Sequence, residues 1–95
     1  MIESNDLTSA AVVVATAGTA VQITSTHTEL RHGVYVKALI GNTGMLYVGN
    51  VSGDVTSANG IELDGGEGLW IPTRDLADLW FDVGTNGDAA RVLYG

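Results

Sequence analysis

The groups in this 95-residue sequence whose types and spacing are suited to chemistry are few. Glu62, Asp64 and Glu67 surround one turn, Asp64-Gly65-Gly66-Glu67-Gly68. Paired carboxylates do acid and base work when burial drives their pKa values apart. Here glycines flank them, nothing nearby desolvates one and spares another, and the reading is a solvated turn. The same cluster offers oxygens to Ca²⁺. The EF-hand order of ligands is absent, however, and a calcium ion takes about six to eight oxygens, so the sequence leaves calcium at this turn open. His27, Glu29 and His32 form a second group, but two histidines five apart without a third strong ligand match no zinc spacing. They read as surface-loop histidines. Neither a G-x-S-x-G nucleophile elbow nor a phosphate-binding G-x-x-x-x-G-K-[ST] loop is present. These absences predict a protein that is not an enzyme and holds no cofactor, and apart from the open question of calcium at the acidic turn no residue is assigned as a metal ligand. Trp70 and Trp80 remain, as stacking platforms for sugars or as anchors in a protein interface.

Composition narrows the partners. Eleven acidic residues against four basic ones give a net charge of -7, so the summed field repels phosphate backbones and anionic headgroups. Nucleic acid and membrane are therefore excluded as expected partners. The chain has no cysteine, which removes disulfides, thiolate metal sites and thiol nucleophiles together. A domain of this size buries only about 60 to 65% of the surface its unfolded chain exposes, and without covalent staples it gains from self-association. The start, Ile2-Glu3-Ser4-Asn5-Asp6, is acidic where a secretory peptide needs positive charge, which predicts folding in the cytoplasm.

Hydrophobic periodicity supplies the elements that would position these groups. In Gly33 to Gly49, GVYVKALIGNTGMLYVG, Val34, Val36, Ala38 and Ile40 alternate against Tyr35, Lys37 and Leu39. Leu46 and Val48 then alternate against Met45 and Tyr47, with Asn42-Thr43-Gly44 between the runs. This predicts a central β-hairpin. Before it, residues Met1 to Ser9 are polar and aperiodic, and predict an arm that docks on a neighbour. AAVVVATA is apolar on both faces, as for a central strand or one covered by another subunit, and Thr19 to Thr24 alternates. Ser25 to His32 and Asn50 to Gly60 read as loops. Ile61 to Leu63 and Leu69 to Ile71 are short strands around the glycine turn, and Pro72 ends the second. Thr73 to Leu79 predicts one helical turn with a Thr or Asp cap. WFDV is the next strand, and Asn86-Gly87 predicts a hairpin into Ala89 to Tyr94.

These runs make about eight short strands, which predicts an all-β chain: a single-domain antiparallel β-sandwich, jelly-roll-like, over residues 10 to 95. Its core would be Val12, Val14, Val21, Ile23, Val34, Val36, Ala38, Ile40, Leu46, Val48, Leu63, Leu69, Ile71, Leu79, Phe81, Val83 and Val92. Apolar residues pointing the other way, or lying in the arm, are candidates for an interface: Ile2, Leu7, Tyr35, Leu39, Met45, Tyr47, Trp70, Trp80 and Leu93.

The order of a polar arm, "GTAVQI", "GVYVKALIGNTGMLYVGN", an "NG" before an "L…GE…IP" pair, and "DLADLWFDVGTNGDAARVLYG" resembles the small all-β virion proteins of tailed bacteriophages. The resemblance runs from about Gly18 to Gly95 and concerns turns and strands, so it carries no site residue. It implies a noncatalytic structural protein made in the host cytoplasm and located on the capsid surface of the virion. The expected role is a cement or decoration protein that binds the major capsid protein as a homo-oligomer, a trimer before other states. The alternatives are a head fibre, collar or tail component, or a carbohydrate- or receptor-binding β-sandwich module using Trp70, Trp80 and Tyr47.

Overall fold

A computed structural model describes residues 8–50 and 55–95. Eight strands follow in order: β1 (Thr8–Val13), β2 (Val21–Gln22), β3 (Val34–Ala38), β4 (Leu46–Gly49), β5 (Ile61–Leu63), β6 (Gly68–Ile71), β7 (Trp80–Val83) and β8 (Ala89–Tyr94). They form two antiparallel four-stranded sheets, β1-β8-β3-β6 and β2-β7-β4-β5, packed as a single-domain all-β sandwich. The first is here called the front sheet and the second the back sheet.

The pairings nest. β4 pairs β5, β3 pairs β6, β2 pairs β7 and β1 pairs β8, as in one long ribbon doubled back on itself at the β4–β5 connection. Rolling that ribbon adds two further contacts, β8 against β3 and β7 against β4. Alternation then places Val12, Val34, Val36 and Val92 of the front sheet against Leu46, Val48, Phe81 and Val83 of the back sheet. Stacked sheets leave about 10 Å between them, which these branched side chains and one phenyl ring fill.

Several expectations are corrected by this topology. Gly33 to Gly49 is not a hairpin, because β3 lies in the front sheet and β4 in the back one. The connection between them is instead drawn against the β7–β8 turn. Asn42 donates through Nδ2 to the Ala89 carbonyl (2.8 Å) and accepts from the Ala89 N–H (2.9 Å). Buried Asp88 accepts from the N–H groups of Thr43 (3.0 Å) and Gly44 (2.8 Å). Asn86-Gly87 likewise turns the chain, with Gly87 at φ +86°, but the turn crosses from one sheet to the other. Ile40, expected in the core, is 78% exposed. Beyond Ala38 the chain reverses through an Asn42 N–H bond to the Leu39 carbonyl (3.0 Å), so alternation no longer governs where Ile40 points.

β1 is an edge strand and begins at Thr8, so Thr8 and Ser9 belong to the sheet; Ile2, Leu7 and the rest of the expected arm lie outside the described residues. Val21, Ile23, Leu69 and Ile71 are half-buried flanks of the core. The helical turn is present as a 3₁₀ turn, Leu76–Asp78, capped by Asp75, whose side chain accepts from the Ala77 N–H. Leu30 and Val55 are buried although their segments read as polar loops, and Leu76 is the buried residue of the helical turn.

Candidate functional site

The structure places five of the expected interface residues on two opposite faces, Tyr35, Trp70 and Leu93 in front and Tyr47 and Trp80 behind. On the outside of the front sheet, strand register sets Ser9 opposite Leu93, Leu93 opposite Tyr35, and Tyr35 opposite Trp70. Three of the four are large apolar residues left open to solvent: Leu93 and Tyr35 at 43% and Trp70 at 55%. Val13 is exposed at the far end of the same sheet.

Local geometry holds this row in place. Gly68 lies beneath the Tyr35 ring, where a Cβ would overlap the phenol. Trp70 donates its indole N–H to the His32 carbonyl at 2.9 Å, which fixes the ring across the end of the sheet. Gly33 permits that placement: its φ is +85°, and a side chain there would collide with the Ile71 carbonyl and approach the indole to 3.1 Å. A shallow hollow of about 260 Å³ runs between Tyr35, Trp70, Leu93 and Tyr94. One register step along, the second outward row reads Ala11, Arg91, Lys37, Gly68.

Tyr47 and Trp80 face outward from the back sheet and do not join this row. Tyr47 stands opposite Asp82 and Glu62, and Trp80 opposite Gly49 and Gln22. Tyr47, expected at an interface, is buried, because the segment after the undescribed residues lies over it. Gly60 sits so close that a Cβ there would come within 2.7 Å of the Tyr47 Cβ, and buried Val55 packs on Gly49. Asp82 is also buried, accepting from the Gly18 N–H (2.9 Å) and the Val83 N–H (2.8 Å). Trp80 is half-buried; Leu39 and Met45 are half-buried in the β3–β4 connection.

The acidic turn engages its own backbone. Glu67 Oε1 accepts from the Asp64 N–H at 2.7 Å and Asp64 Oδ1 from the Gly65 N–H at 2.9 Å, with Glu62 exposed on β5. Among the described residues no three His, Asp or Glu side chains are grouped to hold a metal ion. His27 is exposed and its Nδ1 lies 2.7 Å from Asp75 Oδ2. The hydrogen bond and charge of Asp75 raise the His27 pKa above its ordinary 6.5. Asp75 is held down to about 2, first by the Thr28 N–H, then by His27 and the Ala77 N–H. This carboxylate joins the β2–β3 segment to the β6–β7 segment, a structural task.

No known protein family, curated protein or solved structure matches the chain. Among the described residues no helix is long and apolar enough to cross a membrane. Among the described residues the front row gathers Leu93, Tyr35 and Trp70 in the open on adjacent strands, and aromatic side chains of this kind are enriched at protein interfaces. The sequence marked Tyr35, Trp70 and Leu93 through outward alternation. It did not mark Lys37 and Arg91 as neighbours, since that follows only from the β3–β8 pairing.

Proposed function

We propose that this chain is a noncatalytic structural protein of a tailed-bacteriophage particle, a cement or decoration protein that docks on the major capsid protein. The observation that carries the reading is the uncovered row Leu93-Tyr35-Trp70 on the front sheet, set in rigid backbone. Exposed apolar groups gathered in this way mark sites of association. The motif order described above supports the same class, as does the nested ribbon, which we read as a jelly-roll winding of the kind viral capsid domains use. In this reading the protein resides on the virion surface and assembles as a homo-oligomer, with a trimer favoured.

The experiment is cosedimentation of the purified chain with capsid shells that lack it, alongside sedimentation velocity of the chain alone. Saturable binding to shells, with the free chain running as a small oligomer, is the expected result. A chain that stays in the supernatant, or that binds isolated tails in preference to shells, overturns the cement reading. Of the platforms that a carbohydrate- or receptor-binding module would use, Trp70 lies on the front face, Trp80 on the back face and Tyr47 beneath the segment that roofs it.

A further inference from the structure

The chain has four basic residues, Arg31, Lys37, Arg74 and Arg91, in a total that is otherwise acidic. All four frame the front row. Lys37 and Arg91 stand directly opposite each other on β3 and β8, one register step from Tyr35 and Leu93. Arg31 and Arg74 line a hollow of about 500 Å³ with His32, Thr73 and Trp70, at the end of the row. The Leu30 N–H bond to the Arg74 carbonyl (2.7 Å) brings those two segments together.

Like charges directly opposite across an antiparallel pair are destabilising. A sequence with eleven carboxylates had ample means to place one beside Lys37 or Arg91, yet the four strands of the front sheet, TSAAVV, VYVKA, GLWI and AARVLY, contain none. Glu67, which precedes Gly68, turns its carboxylate back to the Asp64 N–H. Among the described residues none of the four cations forms an ion pair with a carboxylate. A local rule broken with no compensating carboxylate among the described residues points to compensation from a partner.

We infer that the front face docks an acidic protein surface: carboxylates of the partner lie against Lys37, Arg91, Arg31 and Arg74, around an apolar residue seated between Leu93, Tyr35 and Trp70. This deepens the docking reading above and rests on it for the identity of the partner. Charge complementarity selects the occupant. The net charge of -7 turns acidic partners away from the rest of the molecule, so an acidic surface is steered to this one face. Nucleic acid, anionic vesicles and a second copy of the chain are the competing occupants.

The test has two arms on the full chain. In the first, poly-L-glutamate and poly-L-lysine are added to labelled protein and followed by NMR. Poly-L-glutamate is expected to shift the Trp70 indole and the amides of Lys37 and Arg91, with the shifts lost between about 0.1 and 1 M salt as the screening length falls from about 10 to 3 Å. Poly-L-lysine should leave these signals in place. No front-face response to poly-L-glutamate, or an equal response to poly-L-lysine, overturns the inference. In the second arm, Lys37→Glu and Arg91→Glu are each expected to weaken shell binding roughly tenfold or more while the fold is retained, and Arg91→Gln gives an intermediate loss. Binding by the wild type that is indifferent to these changes overturns the acidic-partner inference and leaves the docking function standing. Failure of the wild type to bind shells removes the docking function, and the first arm still decides the chemistry of the face. Charge reversal that alters only self-association, or tighter binding to duplex DNA or anionic vesicles than to poly-L-glutamate, assigns the face to those competitors and overturns the inference.

Discussion

The two outer faces of the sandwich start from similar sequence patterns and end differently. Each sheet turns a tyrosine and a tryptophan outward: Tyr35 and Trp70 in front, Tyr47 and Trp80 behind. Behind, residues 55 to 60 close over Tyr47 and the Gly18 N–H reaches down to Asp82, so that an outward face becomes a second interior. In front nothing among the described residues lies over the row. The lesson is that alternation defines two faces of a strand, while long connections decide which outward face stays available.

Substituting the paired tyrosines tests this contrast most strongly. Tyr47→Ala should destabilise the fold by about 3 to 5 kcal/mol, as does removal of a buried aromatic ring. Tyr35→Ala should fall within about 0.5 to 1 kcal/mol of wild type, as for surface positions. Urea midpoints of the two variants measure the difference, and equal losses would refute the assignment of one buried and one open face.

The same substitution at two glycines sharpens it. In Gly60→Ala the new methyl meets the Tyr47 Cβ and the Thr56 carbonyl, atoms that cannot swing away, and a loss of about 1 to 3 kcal/mol is expected from overpacking. In Gly68→Ala it meets only the far end of the Tyr35 side chain, which rotates into solvent. The cost there should stay below about 1 kcal/mol on the scale of exposed changes, again read from denaturation midpoints.

Leu93→Ser should leave the melting temperature nearly unchanged and lower shell affinity by about 2 kcal/mol, the scale of an interface anchor. Trp80→Ser, on the back face, should not lower that affinity. Cosedimentation of the two variants distinguishes the faces by function where denaturation distinguishes them by burial.

The smallest effect concerns the end that both faces share. His27 has a raised pKa in the fold, so its contribution is full below its ordinary value of 6.5 and is lost as pH rises through the folded value. Asp75 is depressed to about 2, so its contribution is present above its ordinary 3.8 and is lost as pH falls toward 2. The pair therefore supports the fold most between those ordinary values. An NMR titration should show His27 titrating above 6.5, and Asp75→Asn should return it toward that value while flattening the pH dependence of the melting temperature.

Much of the architecture was legible because short half-buried strands announce themselves by alternation. Val34-Val36-Ala38, Leu46-Val48 and Phe81-Val83 face inward as their spacing requires. What alternation lacks is any record of which strand lies beside which. Asn42-Thr43-Gly44 and Asn86-Gly87 have the chemistry of hairpin turns, yet their polar side chains and neighbours are used to tie one connection to another across the end of the sandwich. Leu30 is the single apolar residue of one polar stretch and Val55 one of a few in another, where no period exists to reveal burial. The candidate face was half visible for the same reason: Tyr35, Trp70 and Leu93 follow from outward alternation, whereas the Lys37–Arg91 juxtaposition requires knowing that the last strand returns to the third.

The nested pairing has a kinetic consequence. Among the described strands only β4 and β5 are both consecutive in sequence and paired, so the remaining ladders join segments far apart along the chain. Closing a loop loses more entropy as the loop grows, and the β1–β8 ladder encloses nearly the entire chain. Forming β4–β5 first shortens the effective loop for β3–β6, and that pair in turn shortens it for the next, so the favoured route is a zipper that runs outward from Asn50–Gly60. Such a high contact order places folding in the range of milliseconds to seconds. It also makes the terminal ladder, Thr8 against Tyr94, the last to form and the first to fray, with amide exchange slowest near Leu46 and Phe81 and fastest at the two joined ends.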